Sequence, residues 1–252
     1  MKPQKQEEVS YLPEKGKMEA LGRLACKVAH DFNNILGVIE GYATLAIGGA
    51  GKNELLERDL QEIRAAAAKA AALGKQLLAF GGKQVMNKTP CSVNVIIENT
   101  LKRPELPQGG DFKIEPRFGT GLPGITADAV LLEQALVNLL VNAREATDEG
   151  GTAVICSSAL QLEGNTVHSP NPQKAGTLFI KITVQDHGTG ISAEVFEHLF
   201  EPLFSNTKTS NGAGMGLSTV YGVARQHNGW VEVKSAPGQG SEFALFLPAT
   251  TA

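Results

Sequence analysis

The 252-residue chain is 42% hydrophobic and sets 23 basic against 26 acidic residues, for a formal charge of −3. That apolar content can fill one large core or two modest ones, and the interspersed charge excludes a basic field of the kind that binds nucleic acid. The three cysteines, Cys26, Cys91 and Cys156, stand far apart with no CxxC pair; this argues against a disulfide framework or a zinc site and suits a reducing compartment.

The opening "MKPQKQEEVSYLPEKGK" is polar and lacks the apolar centre of a signal peptide, and no later run nears the ~18 apolar residues of a membrane span. The expected location is therefore cytoplasmic, without membrane contact by this chain. Residues 1–14 read as a separate polar segment. From Glu14 to about Gly48, Met18, Leu21, Leu24, Val28, Phe32, Ile35, Val38, Ile39, Tyr42 and Leu45 recur at helical spacing. "GGAGKN" breaks the pattern. From Glu54 a second run carries Leu56, Leu60, Ile63, Ala67, Ala70, Leu73, Leu77 and Phe80 until "GGK" ends it. Residues 15–84 thus predict an antiparallel helical hairpin, whose apolar stripe is best buried by pairing two copies into a dimeric four-helix bundle. His30 falls off that stripe, toward solvent.

Residues 85–252 change texture. "CSVNVIIENTL" and "ADAVLLEQALVNLLVNAREAT" predict helices, while "TAVICSSALQL", "TLFIKITVQDHG", "GWVEVKSAPG" and "SEFALFLP" predict strands. "EGNTVHSPNPQKAG" predicts a polar hairpin loop. Without strict βαβ alternation, an α+β sandwich is expected.

Within this half, Asn138 and Asn142 are four apart on one helical run and share a face. The string Asp186, Gly188, Gly190 follows a predicted strand, where small residues permit close approach to the backbone. Gly212, Gly214 and Gly216 precede an apolar helical run, and a glycine turn opening a helix presents backbone N–H groups and a positive dipole end to phosphate.

This order of motifs resembles the Bergerat (GHKL) ATP-binding fold of sensor histidine kinases, gyrase-type ATPases, Hsp90 and MutL. With "AHDFNN" upstream, the chain resembles the transmitter core of a two-component sensor histidine kinase: "MEALGRLACKVAHDFNNILGVIEGY" is similar to the H box, "EQALVNLLVNAREA" to the N box, "DHGTGI" to G1, "FEHLFEPLFSNTK" to the F box and "GAGMGLSTVYGVARQHNG" to G2.

The resemblance implies that His30 accepts a phosphoryl group, that Asp31 orients the ring or takes its proton, and that Asn34 holds a water for dephosphorylating the partner. It implies ATP and Mg²⁺ as cofactors, with Asn142 on the metal and Asn138 assisting, Asp186 accepting from the adenine amino group, and Lys208 contacting the γ-phosphate or the lid. The lid would be Ile191 to Asn211, with Phe196, Phe200 and Phe204 as apolar handles. The implied partners are a second copy of the chain and a response-regulator receiver domain outside these residues.

Where gyrase-type ATPases place a water-activating Glu, Asn138 stands, and an amide cannot act as a general base. Autophosphorylation of His30 and transfer to an Asp of the regulator is the expected chemistry. The alternatives are a regulatory scaffold that transfers no phosphate and a free-standing ATPase.

Overall fold

The computed structural model describes residues 9–11, 15–49, 51, 53–82, 84–106, 112–148, 150–162, 176–204 and 214–250. They form two compact units: Gly16–Gln84, and Val85–Ala252 together with the N-terminal stretch ending at Lys15.

The first unit is the helical hairpin, α1 (Lys15–Gly49) and α2 (Glu54–Phe80). Asn53 caps α2, its side chain accepting from the Leu56 N–H at 3.2 Å, which satisfies one of the free N–H groups of the first turn. The seam between the helices is not the large apolar stripe. It is a narrower line of Gly22, Cys26, Ala29, Asn33, Leu36 and Ala43, buried or half-buried, at the alternating spacings of four and three that keep one face toward a partner.

Small residues let the backbones close in: a Cβ at Gly81 would strike the Cys26 sulfur and the Gly22 carbonyl, and a Cβ at Gly74 would strike the Asn33 amide. Met18, Leu36 and Phe80 are buried, but most large apolar side chains of α1 remain outside. Leu24, Phe32, Tyr42 and Leu45 are 64%, 56%, 71% and 73% exposed, an apolar face larger than a soluble surface ordinarily leaves open.

The second unit is a six-stranded sheet with one helical layer. Its strands are β1 (Val9–Tyr11), β3 (Lys113–Arg117), β5 (Thr152–Gln161), β6 (Leu178–Asp186), β7 (Trp230–Ser235) and β8 (Ser241–Pro248), in the order β1-β7-β8-β6-β5-β3. Only β3 and β5 are parallel. Their crossover runs through β4 (Ile125–Ala127), which pairs with β2 (Thr89–Cys91), and through α4 (Ala129–Ala146). The helices α3 (Val93–Leu101), α4 and α6 (Gly216–Gln226) complete the layer, with α4 in contact with both others and with β5 and β6, and the single turn α5 (Ala193–Phe196) precedes α6 in the chain.

Strand alternation sorts the faces. Ile180, Ile182, Val184, Phe243, Leu245 and Val231 lie under the helices, nearly inaccessible to water. On the other face Trp230 stacks on Phe246 at 4.6 Å between ring centres and meets the edge of Phe179 at 4.8 Å.

The opening segment, which its polarity sets apart, contributes β1, whose residues Val9 to Tyr11 pair antiparallel with Ser235 to Val233. The short strands β2, β3 and β4 are too brief to show periodicity and were not foreseen. The polar loop "EGNTVHSPNPQKAG" lies almost wholly outside the described residues.

A buried network joins the helices. His227, 3% exposed, has Nδ1 at 2.7 Å from the Val223 carbonyl oxygen and accepts through Nε2 from the Asp128 N–H at 3.0 Å. A carbonyl can only accept and an N–H can only donate, so the ring is neutral with its proton on Nδ1. Asp128 in turn caps α4 through Leu131 N–H at 3.2 Å and receives the Asn87 N–H at 2.8 Å.

Burial pushes the His227 pKa below its usual value, with the Val223 bond opposing, the Lys88 charge reinforcing and the Asp128 charge opposing. In the unfolded chain the ring protonates below about pH 6.5, so the unfolded state binds more protons there and stability falls as pH drops from that point toward the lower folded pKa. Urea unfolding followed by the fluorescence of Trp230, the sole tryptophan, is expected to show a midpoint that declines between pH 7.5 and 5.5. His227→Gln should flatten that decline.

Candidate nucleotide site and phosphoacceptor

The second unit gathers its candidate residues at the end of β6, along α4 and at the start of α6. Asp186 ends β6 and is 2% exposed. Its Oδ1 accepts from the Gly188 N–H at 2.8 Å and from the Ser241 N–H at 3.2 Å. No described residue donates to Oδ2, which leaves that oxygen for a ligand. Burial raises the Asp186 pKa above the ordinary carboxylate value, while the Gly188 and Ser241 bonds and the His187 charge pull it back.

The glycines around it are there for space. A Cβ at Gly188 would enter the Ala146 carbonyl, and one at Gly190, whose φ of +67° already disfavours a side chain, would enter the Ala236 carbonyl. Thr189 N–H bonds to the Ala146 carbonyl at 2.9 Å and the Thr189 carbonyl receives Gly238 N–H at 2.7 Å. The loop is thus stitched both to the end of α4 and to the β7–β8 turn. Ser235 strengthens the second stitch, accepting from Ile191 N–H at 2.9 Å and donating to the Gly240 carbonyl at 2.6 Å.

On α4, Asn138 and Asn142 differ sharply. Asn138 donates through Nδ2 to the Gly216 carbonyl at 3.3 Å and accepts through Oδ1 from Gln134 Nε2 at 3.4 Å. Asn142 is half-buried, and no hydrogen bond engages its amide among the described residues. No group of three or more His, Cys, Asp or Glu converges on a metal site among those residues. The open Asn142 oxygen, with the phosphates of a nucleotide, would suit a hard cation such as Mg²⁺.

Gly214, with φ +66°, lies against the chain at Leu203, where an added Cβ would come within 2.7 Å of the Leu203 carbonyl carbon. Gly216 opens α6, and among the described residues no side chain caps that helix, which leaves the N–H groups of its first turn without a side-chain partner. Of the expected lid handles, Phe196 and Phe200 are core residues, each 2% exposed, whereas Phe204 is half-buried with its ring 5.5 Å from His198. Lys208 and Gly212 lie outside the described residues. Arg144, two positions past Asn142, stacks its guanidinium 5.7 Å from the centre of the Phe112 ring.

In the hairpin, His30 and Asp31 side chains are 72% and 66% exposed. The Asp31 Oδ1 lies 3.3 Å from His30 Nδ1, and the Asn34 amide nitrogen 3.5 Å from the same ring nitrogen. Neighbouring helical positions do not normally face one another; here the rotamers bring them together. Ser241, Ser235 and Gln134 were not singled out from the sequence. Gln134 was findable, because it stands one helical turn before Asn138, whereas the two serines reach Asp186 and its loop only through strand pairing.

The sequence pattern of the family described as "Histidine kinase-, DNA gyrase B-, and HSP90-like ATPase" matches residues 127–251. Sensor kinase CckA of Brucella abortus is 34% identical over 92% of this chain. The chain belongs to the sensor histidine kinase family. Another member, the sensory histidine kinase/phosphatase NtrB of Rhodobacter capsulatus, is 31% identical over 89% of the chain. The chain spans 24% of the length of the first relative and 61% of the second. Among solved structures, full-length ShkA in complex with AMPPNP shares the fold, with a TM-score of 0.64 at 23% identity over 91% of this chain and 46% of its own.

Because the ionised Asp186 carboxylate is held in a buried site that raises its pKa, the fold loses stability as pH climbs from the unfolded value through the folded one. Asp186→Asn keeps an oxygen for both N–H donors without the buried charge, but turns an N–H₂ toward the ligand where an acceptor stood. The variant is expected to unfold at the same or higher urea concentration at pH 7.5 and to bind ATP about tenfold or more weakly by calorimetry.

Proposed function

We propose that the chain uses ATP to phosphorylate His30 and passes the phosphoryl group to an Asp of a response-regulator receiver domain. The observation that carries this reading is an exposed imidazole whose Nδ1 faces a carboxylate, in the same chain as an ATP-binding fold with a free amide and a free carboxylate oxygen at its site.

A carboxylate only accepts and an amide N–H₂ only donates, and Asp31 at 3.3 Å is nearer Nδ1 than the Asn34 amide at 3.5 Å; with Asp31 as the partner the proton is on Nδ1 and the lone pair on Nε2. Nε2 attacks the γ-phosphorus as the bond to the β-phosphate oxygen breaks and ADP leaves. As the ring becomes cationic, Asp31 takes or stabilises the Nδ1 proton. Asp186 fixes the adenine, the glycine turn at Gly214 and Gly216 receives the phosphates, and Asn142 supplies the oxygen for Mg²⁺. The ion's chemistry is to neutralise the charge of the transferring phosphate. Since Asn138 cannot activate water, positioning and charge neutralisation carry the transfer.

Dimerisation belongs to the same reading. The exposed apolar face of α1, Leu24 through Leu45, needs covering, and a second hairpin matches it in length and chemistry.

With γ-labelled ATP and Mg²⁺, the protein is expected to acquire label that is lost in acid and kept in base, and His30→Gln to acquire none. Steady phosphate release that survives His30→Gln, or no label on the parent despite ATP binding, would replace the kinase reading with an ATPase or a regulatory scaffold respectively. Asn34, one turn from His30 and 3.5 Å from its ring, is placed to hold a water for hydrolysis of the regulator's acyl phosphate. Asn34→Ala is expected to retain autophosphorylation and to slow dephosphorylation of a phosphorylated receiver by about tenfold or more, measured by loss of label from the receiver.

A further inference from the structure

Asn138 shares a helix face with the metal-ligand candidate Asn142, yet its amide is engaged at both ends. Behind it stands a chain of donors and acceptors leading away from the site. Arg103, just past the end of α3, holds Glu105 in a two-point contact at 2.8 and 3.3 Å and lies 3.7 Å from Glu133. The same guanidinium reaches Gln134 Oε1 at 3.5 Å. Gln134 Nε2 donates to Asn138 Oδ1 at 3.4 Å, and Asn138 Nδ2 to the Gly216 carbonyl at 3.3 Å.

The bonds are at the long end of the range, but their polarity is determined. A guanidinium can only donate and a backbone carbonyl can only accept. With those two ends fixed, both intervening amides have a single orientation that satisfies every contact. Flipping either one would oppose donor to donor or acceptor to acceptor.

We infer that Asn138 is a positioning residue and not a metal ligand, and that Arg103 and Gln134 set its orientation so that it holds the first residue of α6 in place. Anchoring the Gly216 carbonyl fixes the peptide plane that follows it, and with it the direction of the N–H at the helix opening. That opening is where the proposed function seats the ATP phosphates, so the consequence for nucleotide binding rests on that reading. The anchoring of α6 does not.

Two substitutions separate the roles. Gln134→Glu strengthens the contact with Arg103 but offers Asn138 only acceptors, forcing its amide to turn its oxygen toward the Gly216 carbonyl. Asn138→Asp keeps the acceptor for Gln134 but cannot donate to Gly216, while giving a metal a better ligand. In nucleotide-free protein, hydrogen exchange at the Thr219 amide, which bonds to the Met215 carbonyl at 3.0 Å in the first turn of α6, is expected to quicken about fivefold in both variants. The Trp230 unfolding midpoint of Gln134→Glu should stay at or above that of the parent.

ATP affinity by calorimetry is expected to fall about fivefold in both variants, equally with and without Mg²⁺. Unchanged exchange in both variants would overturn the relay. An Asn138→Asp protein that binds ATP as well as or better than the parent only when Mg²⁺ is present would make Asn138 a metal ligand and overturn the inference. If the parent itself fails to bind ATP, the functional reading falls, and the exchange result still decides the relay.

Discussion

The buried carboxylate of Asp186 is the constraint on which the ATP-binding unit turns. A nearly inaccessible carboxylate is costly to ionise, and here two backbone N–H groups, from Gly188 and Ser241, offset part of that cost through a single oxygen. Those donors come from opposite sides of the site: one from the loop that leaves β6, the other from the first residue of β8. Holding the charge therefore requires the loop and the β7–β8 turn to close on each other. The glycines at 188, 190 and 240 exist because carbonyls occupy the space their side chains would need. Local stability is given up there for an oxygen left open to a ligand, a common exchange at functional sites.

The hairpin is organised by a different economy. Its two helices meet along small residues, so the interior of one hairpin is thin and most of the larger apolar side chains of α1 stay outside. A face of that kind is unfavourable in an isolated chain and becomes a core when another helical surface covers it. Gly22, Cys26 and Gly81 form the tightest point of the seam. There the Cys26 sulfur occupies the space that a side chain at 81 would need.

Between the two ends of α4, polar groups are spent in contrasting ways. At the start, Asp128 joins the helix cap, the incoming chain at Asn87 and the neutral His227 ring. In the middle, Asn138 is tied to α6. One turn further, Asn142 is left open. The same helix thus carries polar residues engaged in hydrogen bonds and one, Asn142, whose amide is open among the described residues, and bonding separates the two kinds where residue type does not.

The two-helix hairpin, the long strands and the main helices were legible in the sequence because periodicity is a local property: spacing alone says which side chains share a face. The order of the glycine motifs, Asp186, the two asparagines and His30 were legible for the same reason, with the family resemblance assigning their roles. Tertiary structure alone decided the rest. The edge strand β1 and the short strands β2 to β4 exist only through partners far away in sequence. Which apolar residues lie inside the hairpin depended on which side chains were small enough to let the helices approach. Ser241 bonds to Asp186 across 55 positions and Asn138 to Gly216 across 78, and a hydrogen bond between groups that meet only when the chain is folded leaves no trace in local spacing.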